Sequence, residues 1–261
     1  MFKFKTDFCS LTGLRESNED AHAITNNKHN YLWAIYDGHG GPAVSKYLKR
    51  HSAKTILNKQ YKNGIPTITL KKRHDDIQDN LIKYGSKTKS DVSEVGSTSL
   101  TAIITNNKLQ LANVGDCRAV LCKHNGLAQA LTVDHKPEWD AEKKRIVDKG
   151  GRVIFDKEDE VYRIMDLSVS RAFGDIKYTK YVTHKPDVFN YTLKQNDQFL
   201  ILACDGLWDV MCTQDAVNFV ITNRKRKNVA TMLGNHAINK LNSTDNVSII
   251  IIFFTIPKTK K

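Results

Sequence analysis

Twice in this chain a strand-length apolar run stops at Asp-Gly. Tyr31-Leu32-Trp33-Ala34-Ile35-Tyr36 leads into Asp37-Gly38-His39-Gly40-Gly41, and Phe199-Leu200-Ile201-Leu202-Ala203-Cys204 leads into Asp205-Gly206. Glycine lets the backbone take φ > 0 and come close to a ligand, so each carboxylate stands at a strand end beside a permissive turn. A single case is an ordinary strand connection, because Asp is common in turns. Here other acids share the setting. Asp116 follows the apolar run 109–114 through Gly115, Asp245-Asn246 precedes the run that starts at Val247, and Glu19-Asp20 precedes the one at Ala21.

Carboxylates converging from five segments would repel unless cations neutralised them. The chain has no Cys/His cluster with zinc spacing, and an all-oxygen donor set suits Mg²⁺ or Mn²⁺. A pair of such ions about 3.5–4 Å apart can activate water and clamp a phosphoryl group. The pattern therefore points to metal-assisted phosphate chemistry. Other phosphate or nucleophile devices are missing: no GK[ST] follows Gly38-His39-Gly40-Gly41, no GxSxG elbow occurs, and neither Cys9 nor Cys204 sits in a phosphate-cradling loop.

The 261 residues suffice for one large domain, and no linker or repeat divides them. No apolar run approaches 18 residues, which argues against a membrane span. The start, Met1-Phe2-Lys3-Phe4-Lys5, alternates apolar and basic residues and is not a secretory signal. Five cysteines without a CxxC pair suit reduced thiols. The expected location is intracellular, cytoplasmic and/or nuclear. The net charge is +12, but the lysines are scattered, with small clusters at 71–73, 224–227 and 258–261. No stacking-aromatic motif accompanies them, so no nucleic-acid partner is expected. A nucleic-acid binder would lose affinity steeply with salt.

The apolar spacing gives a first strand with Phe2, Phe4 and Phe8 on one buried face, then strands at 21–25 and 32–36. A helix is expected from Pro42 to about residue 61, and a second over 71–87. Strands at 97–105, 109–114, 118–122 and 128–131 are joined by short turns, which favours antiparallel neighbours. A helix over 138–149 stops at Gly150-Gly151. A hairpin (153–155 with 161–164) precedes an irregular stretch, 166–185. Strands 187–193 and 198–204, helices 213–223 (Thr213 as N-cap) and 229–241, and a strand 247–254 buried on both sides complete the chain. This order predicts a layered α+β domain over residues 1–256, with a short basic tail at 257–261.

These residues match a known family. The chain resembles the metal-dependent protein serine/threonine phosphatases of type 2C, the PPM family, from about Cys9 to Phe254. The motifs stand in the family's order. Arg15-Glu16-Ser17-Asn18-Glu19-Asp20-Ala21 comes first, then Tyr36-Asp37-Gly38-His39-Gly40-Gly41, Gly96-Ser97-Thr98 and Asn113-Val114-Gly115-Asp116-Cys117-Arg118. Leu131-Thr132-Val133-Asp134-His135-Lys136-Pro137, Ser170-Arg171-Ala172-Phe173-Gly174-Asp175 and Lys185-Pro186-Asp187-Val188 follow. Asp205-Gly206-Leu207-Trp208-Asp209 and Asp245-Asn246 close the series.

The resemblance implies a four-layer α-β-β-α sandwich of two mainly antiparallel sheets flanked by helices. It implies phosphoprotein substrates, no membrane association, two Mn²⁺ or Mg²⁺ ions and a weaker third. Asp37 would bridge the two ions, the Gly38 carbonyl would bind one of them and Glu19 would hold its waters, while Asp205 and Asp245 would complete the other. Asp116, with Asp205 and Asp209, would form the third site, and Asp20 would orient the ligands from behind. Arg15 would bind the substrate phosphate, and His39 would protonate the leaving serine or threonine oxygen, with activated water as nucleophile and no phospho-enzyme. Thr98, Arg118, Arg171 and Asp175 are read as scaffold and Trp208 as core.

The bland readings are a surface loop for Arg15, a helix-start histidine for His39 and an early helical carboxylate for Asp209. Cys117 stands where many relatives have serine, and the segment after Gly151, which corresponds to the family's flap, is short. A non-catalytic binding protein on the same fold is the alternative, disfavoured because no metal ligand is lost. A monomer is the default expectation.

Overall fold

A computed structural model describes residues 2–88, 90 and 92–255; the basic tail at 257–261 lies outside them. The chain opens with strands β1 (Lys3–Leu11), β2 (Ala21–Asn26), β3 (Asn30–Tyr36) and the short β4 (Gly38–His39), then helices α1 (Ala43–Ile56) and α2 (Thr67–Thr88). Strands β5 (Gly96–Ser97), β6 (Ser99–Thr105), β7 (Lys108–Val114), β8 (Arg118–Cys122) and β9 (Ala128–Ala130) follow, then α3 (Asp140–Asp148). The hairpin β10 (Ile154–Asp156) and β11 (Val161–Arg163) precedes β12 (Phe173–Gly174), a 3₁₀ turn at Ile176–Tyr178, β13 (Asp187–Thr192) and β14 (Phe199–Ala203). The last elements are α4 (Asp205–Trp208), α5 (Thr213–Asn223), α6 (Val229–Leu241) and β15 (Val247–Thr255).

Two five-stranded sheets, ordered β1-β15-β14-β8-β9 and β13-β7-β6-β3-β2, carry the fold, and every pairing in them is antiparallel. Strand alternation explains the four layers. In β3, Trp33 and Ile35, with Leu100 of the neighbouring β6, face the other sheet and pack with its Leu121, Leu202 and Ile250. Leu32, Ala34 and Tyr36 face the opposite way, onto Val44 and Leu48 of α1 and Leu81 of α2. In β15, Ile250 and Ile252 point between the sheets, while Ile249 and Ile251 pack with Val217 of α5 and Leu233 of α6. Strands buried on both faces lose the polar alternation, hence the continuous apolar runs. Among the described residues no helix is long and apolar enough to cross a membrane.

Several local expectations need correction. On β1, Phe8 is 47% exposed and lies against His22, while Cys9 is buried under α6. β1 is an edge strand, and only Phe2 and Phe4 on that face reach the inter-sheet core. Helix α1 ends at Ile56, five residues early, because the exposed polar residues 58–60 bury nothing. Helix α2 starts at Thr67, directly after Pro66, whose carbonyl accepts from Leu70 N. The cap of α5 is Cys212 rather than Thr213; its Sγ accepts from Asp215 N at 3.4 Å. The turn after Asp37 also contains β4, which pairs with β5, itself paired with β12 in a small third sheet.

Candidate active site

The strand ends that carry acids come from both sheets and meet at one end of the sandwich. Asp37 leaves β3 and Asp116 leaves β7, both in the second sheet, while Asp205 leaves β14 in the first and opens α4. Ligand oxygens of Asp37, Asp116 and Asp205 all lie within 4.8 Å of one another, as do carboxylate oxygens of Asp20 and Asp37 and the Cys204 Sγ. Thr98 fixes the Asp37 backbone from both sides: its N–H donates to the Asp37 carbonyl (2.8 Å) and its Oγ1 accepts from Asp37 N (3.2 Å). Gly38 has no room for a side chain, because a Cβ would strike the Glu19 carbonyl. Gly206 is pressed in the same way against the Asn246 carbonyl.

Like charges brought this close resist ionisation. Burial first, then the Asp205 charge, raises Asp37 and Asp116 well above the ordinary carboxylate range. Asp205 is pushed up to about 6 by burial and by Asp209 and Asp245. Asp20 reaches about 7, chiefly by burial, although Ser248 opposes the rise. The donor set fits a hard divalent cation on one further observation. Asp116 is 2% exposed, and its Oδ1 is buried with no hydrogen-bond partner among the described residues. An unpaired buried carboxylate oxygen is costly unless something positive meets it.

Around this cluster Asn246 acts as a clamp. Its Nδ2 donates to the carbonyls of Thr12 (2.8 Å) and Ser17 (3.0 Å), and its Oδ1 accepts from Glu19 N (2.9 Å). The loop bearing Arg15 and Glu19 is thereby fixed beside Asp245, and Arg15 Nη2 reaches Asp245 Oδ2 at 2.9 Å. Glu19 Oε2 in turn accepts from Gly41 N (3.0 Å). His39 lines the same cleft and pairs through Nε2 with Asp175 Oδ2 at 2.8 Å. The cleft holds about 470 Å³ and includes Arg15, Glu19, Asp37, His39, Asp116, Asp205 and Asp245.

Asp209 is not in the Asp37–Asp116–Asp205 group within 4.8 Å, though its charge bears on Asp205 and Asp116. It is half exposed and bonded to Lys136 Nζ at 2.8 Å. Lys136 lies in the 131–137 motif without an expected role, yet its ammonium interacts with the acids. Burial would lower its pKa, and Asp116, Asp209 and Asp205 together outweigh that and raise it. Its loop is anchored to the Asp116 turn, because His135 N donates to the Gly115 carbonyl (3.1 Å) and His135 Nδ1 accepts from Gly115 N (3.1 Å). Below it, Glu142 accepts from Arg171 Nε (3.0 Å), Arg145 Nη2 (2.8 Å) and Ser170 Oγ (2.7 Å). Arg163 and residues 166–169 also line the cleft. They carry no chemical motif, and their place here follows the hairpin pattern at 153–164 and the resemblance of the segment after Gly151 to the family's flap.

Comparison with known proteins agrees with this geometry. The protein phosphatase 2C family model matches residues 4–247. The chain is 36% identical over 262 residues to a probable protein phosphatase 2C 55 of Oryza sativa subsp. japonica, covering 97% of this chain and 66% of that one. It therefore spans about two thirds of that relative's length. A PP2C-like domain-containing protein of Acanthamoeba polyphaga mimivirus is 46% identical over 173 residues, covering 56% of this chain and 94% of that one. Among solved structures, a serine-threonine phosphatase 2C from Toxoplasma gondii superposes with a TM-score of 0.86 at 23% identity, covering 97% of this chain and 95% of that one. A C. elegans sex determining protein gives 0.87 at 22% identity, covering 96% and 64%. At those identities the two structures speak to the fold alone.

The architecture is that of a phosphatase sandwich with an acidic centre where its two sheets meet. The chain belongs to the protein phosphatase 2C family, a class of metal-dependent serine/threonine phosphatases.

Proposed function

We propose that the chain hydrolyses phosphoserine and phosphothreonine in proteins at a centre of two Mn²⁺ or Mg²⁺ ions. The observation that carries this reading is the meeting of Asp37, Asp116 and Asp205 within 4.8 Å, in a cleft that also holds Arg15. Ions bound there would polarise water and offset the negative charge of the phosphoryl group.

The chain's own groups have separable tasks. Asp37, the Gly38 carbonyl, Asp205 and Asp245 would hold the ions, Glu19 would hold their waters, and Asp20, behind Asp37, would orient the set. Asp116 with Asp205 and Asp209 would hold a weaker third ion. Arg15 presents a planar fork that matches two phosphate oxygens, and Asp245 steadies it. His39 would give a proton to the departing serine or threonine oxygen as the P–O bond breaks. The free thiols among the described residues fit a reducing, intracellular setting.

Hydrolysis of a phosphothreonine peptide with Mn²⁺, with EDTA, and by Asp37→Ala and Asp205→Ala tests this. Activity should need the metal and should collapse in both variants. Turnover in EDTA, or full activity in both variants, would sink the mechanism.

A further inference from the structure

The small third sheet aligns three positions. His39 on β4 is opposite Gly96 on β5, and Gly96 is opposite Gly174 on β12. Asp175 follows at once, in the left-handed region with φ 48° and ψ 43°. That conformation is uncommon for a residue other than glycine and costs free energy. It turns the carboxylate back toward His39, whose Nε2 lies 2.8 Å from Oδ2. Gly96 leaves the space for this pair, since a Cβ there would collide with both Asp175 Oδ2 and His39 Nε2.

Asp175 is 1% exposed, and its other oxygen, Oδ1, is buried without a hydrogen-bond partner among the described residues. The carboxylate does not cap the 3₁₀ turn that it precedes, because no side-chain capping bond is present. The Asp175 backbone does the local structural work: its N–H donates to the Val95 carbonyl (3.1 Å) and its carbonyl accepts from Tyr178 N (2.8 Å). An asparagine or serine would leave those backbone bonds intact. Among the described residues the only charged partner of the carboxylate is His39.

We propose that Asp175 is the positioning residue of the leaving-group acid, fixing which nitrogen of His39 faces the substrate. This rests on the reading of His39 as that acid. An ionised carboxylate only accepts hydrogen bonds, so Nε2 must carry a proton toward Oδ2. The nitrogen left for the cleft is Nδ1. When the P–O bond breaks, the Nδ1 proton passes to the serine or threonine oxygen. His39 is left neutral with Nε2–H still bonded to Asp175, and it regains a proton from solvent. A carboxylate behind a histidine sets ring orientation and tautomer in the same way at metal and hydrolase sites.

The test uses Asp175→Asn and His39→Ala on two kinds of substrate. A phosphothreonine peptide has a poor leaving group, while p-nitrophenyl phosphate needs little protonation. Asp175→Asn should lower kcat on the peptide by roughly 10- to 100-fold with KM little changed, and should alter the aryl phosphate far less. Across a series of aryl phosphates, kcat should depend more steeply on leaving-group acidity in both variants. The double variant should be no worse than His39→Ala, because the two residues act as a unit. Equal loss on both substrates would make Asp175 mere scaffold and overturn the proposal. A second measurement needs neither activity nor a variant that folds. The ¹⁵N shifts of His39 in the metal-free wild type, read where the ring is neutral, should show its one remaining proton on Nε2. A neutral ring that keeps its proton on Nδ1 instead would also overturn the proposal. If His39→Ala itself hits both substrates equally, the acid reading fails, and the nitrogen shifts still report on the Asp175 contact.

Discussion

Arg15 Nη2 lies 2.9 Å from Asp245 Oδ2, joining the phosphate-binding candidate to a metal-ligand candidate 230 residues away in the chain. The pair is substantially exposed, at 59% and 39% for the two side chains. Exposed pairs add little stability, so the contact serves mainly to aim the guanidinium. Substrate phosphate and metal would thus meet a single connected surface.

Arg15→Lys should therefore cost binding and spare the fold. A point charge cannot reproduce the two-pronged contact, and KM for a phosphothreonine peptide should rise by about tenfold. The melting temperature should stay within about 2 °C of the wild type. Steady-state kinetics and a thermal melt check both. An unchanged KM would remove Arg15 from the phosphate site.

Asp37→Asn should stabilise the metal-free protein while abolishing activity. The substitution keeps the shape and removes an ionisable carboxyl from a cluster whose oxygens lie within 4.8 Å. Relief of about 1–2 kcal/mol corresponds to roughly 3–6 °C in melting temperature. The comparison is made in EDTA. With Mn²⁺ the order should reverse, since the variant has lost a ligand. A variant less stable than the wild type in EDTA would refute the repulsion argument.

The stabilisation given by Mn²⁺ should grow with pH. Asp20 and Asp205 hold their protons up to about 7 and about 6 in the folded, metal-free protein, against 3.8 ordinarily. Across that window the folded state binds more protons than the unfolded one, so this contribution to stability is complete at low pH and falls as pH rises. His74, lowered to about 4 by burial, acts in the opposite sense. It is absent from the cleft lining and cancels when melts with and without metal are subtracted. The Mn²⁺-induced gain should increase from about pH 5 to about pH 7.5 as protons stop competing for the carboxylates. A gain that shrinks over this range would contradict the assignment.

Glu142→Gln should be among the most damaging changes outside the cleft. Glu142 is 4% exposed and accepts from Arg171, Arg145 and Ser170. Burial pushes its carboxyl up, but Arg171, Ser170 and Arg145 outweigh this and hold it down to about 2. Removing one partner of such a network costs about 3–5 kcal/mol, or roughly 6–15 °C. With a depressed folded pKa, its contribution is present above 4.5 and fades as pH falls toward about 2. Chemical denaturation at neutral pH measures the first effect, and a difference between variant and wild type that narrows in acid shows the second.

Much of the fold was legible because its signals are local. The runs at Tyr31–Tyr36, Phe199–Cys204 and Val247–Phe254 are strands between two apolar layers, and that setting removes polar alternation. The acids Asp37, Asp116 and Asp205 were legible because each ends such a run. Asp209 was placed by motif alone, and the structure sets it against Lys136. What escaped the sequence depends on distant pairing. Nothing local marks Asp175 as the partner of His39, because the two are 136 residues apart and meet only through β4, β5 and β12. The exposure of Phe8 escaped for the same reason: alternation says which residues share a face, while the sheet's edge decides how far the core extends.

The crowding at Gly38, Gly96 and Gly206 has a consequence for reading other chains of this kind. At each position a single methyl group would displace the backbone or side chains that aim the acids. A descendant could keep every carboxylate, the arginine and the histidine, and still fall silent through one Gly→Ala exchange. An inventory of ligands would misfile that protein as an enzyme. Those hydrogens on the glycine α-carbons are as diagnostic of a working centre as the charges beside them.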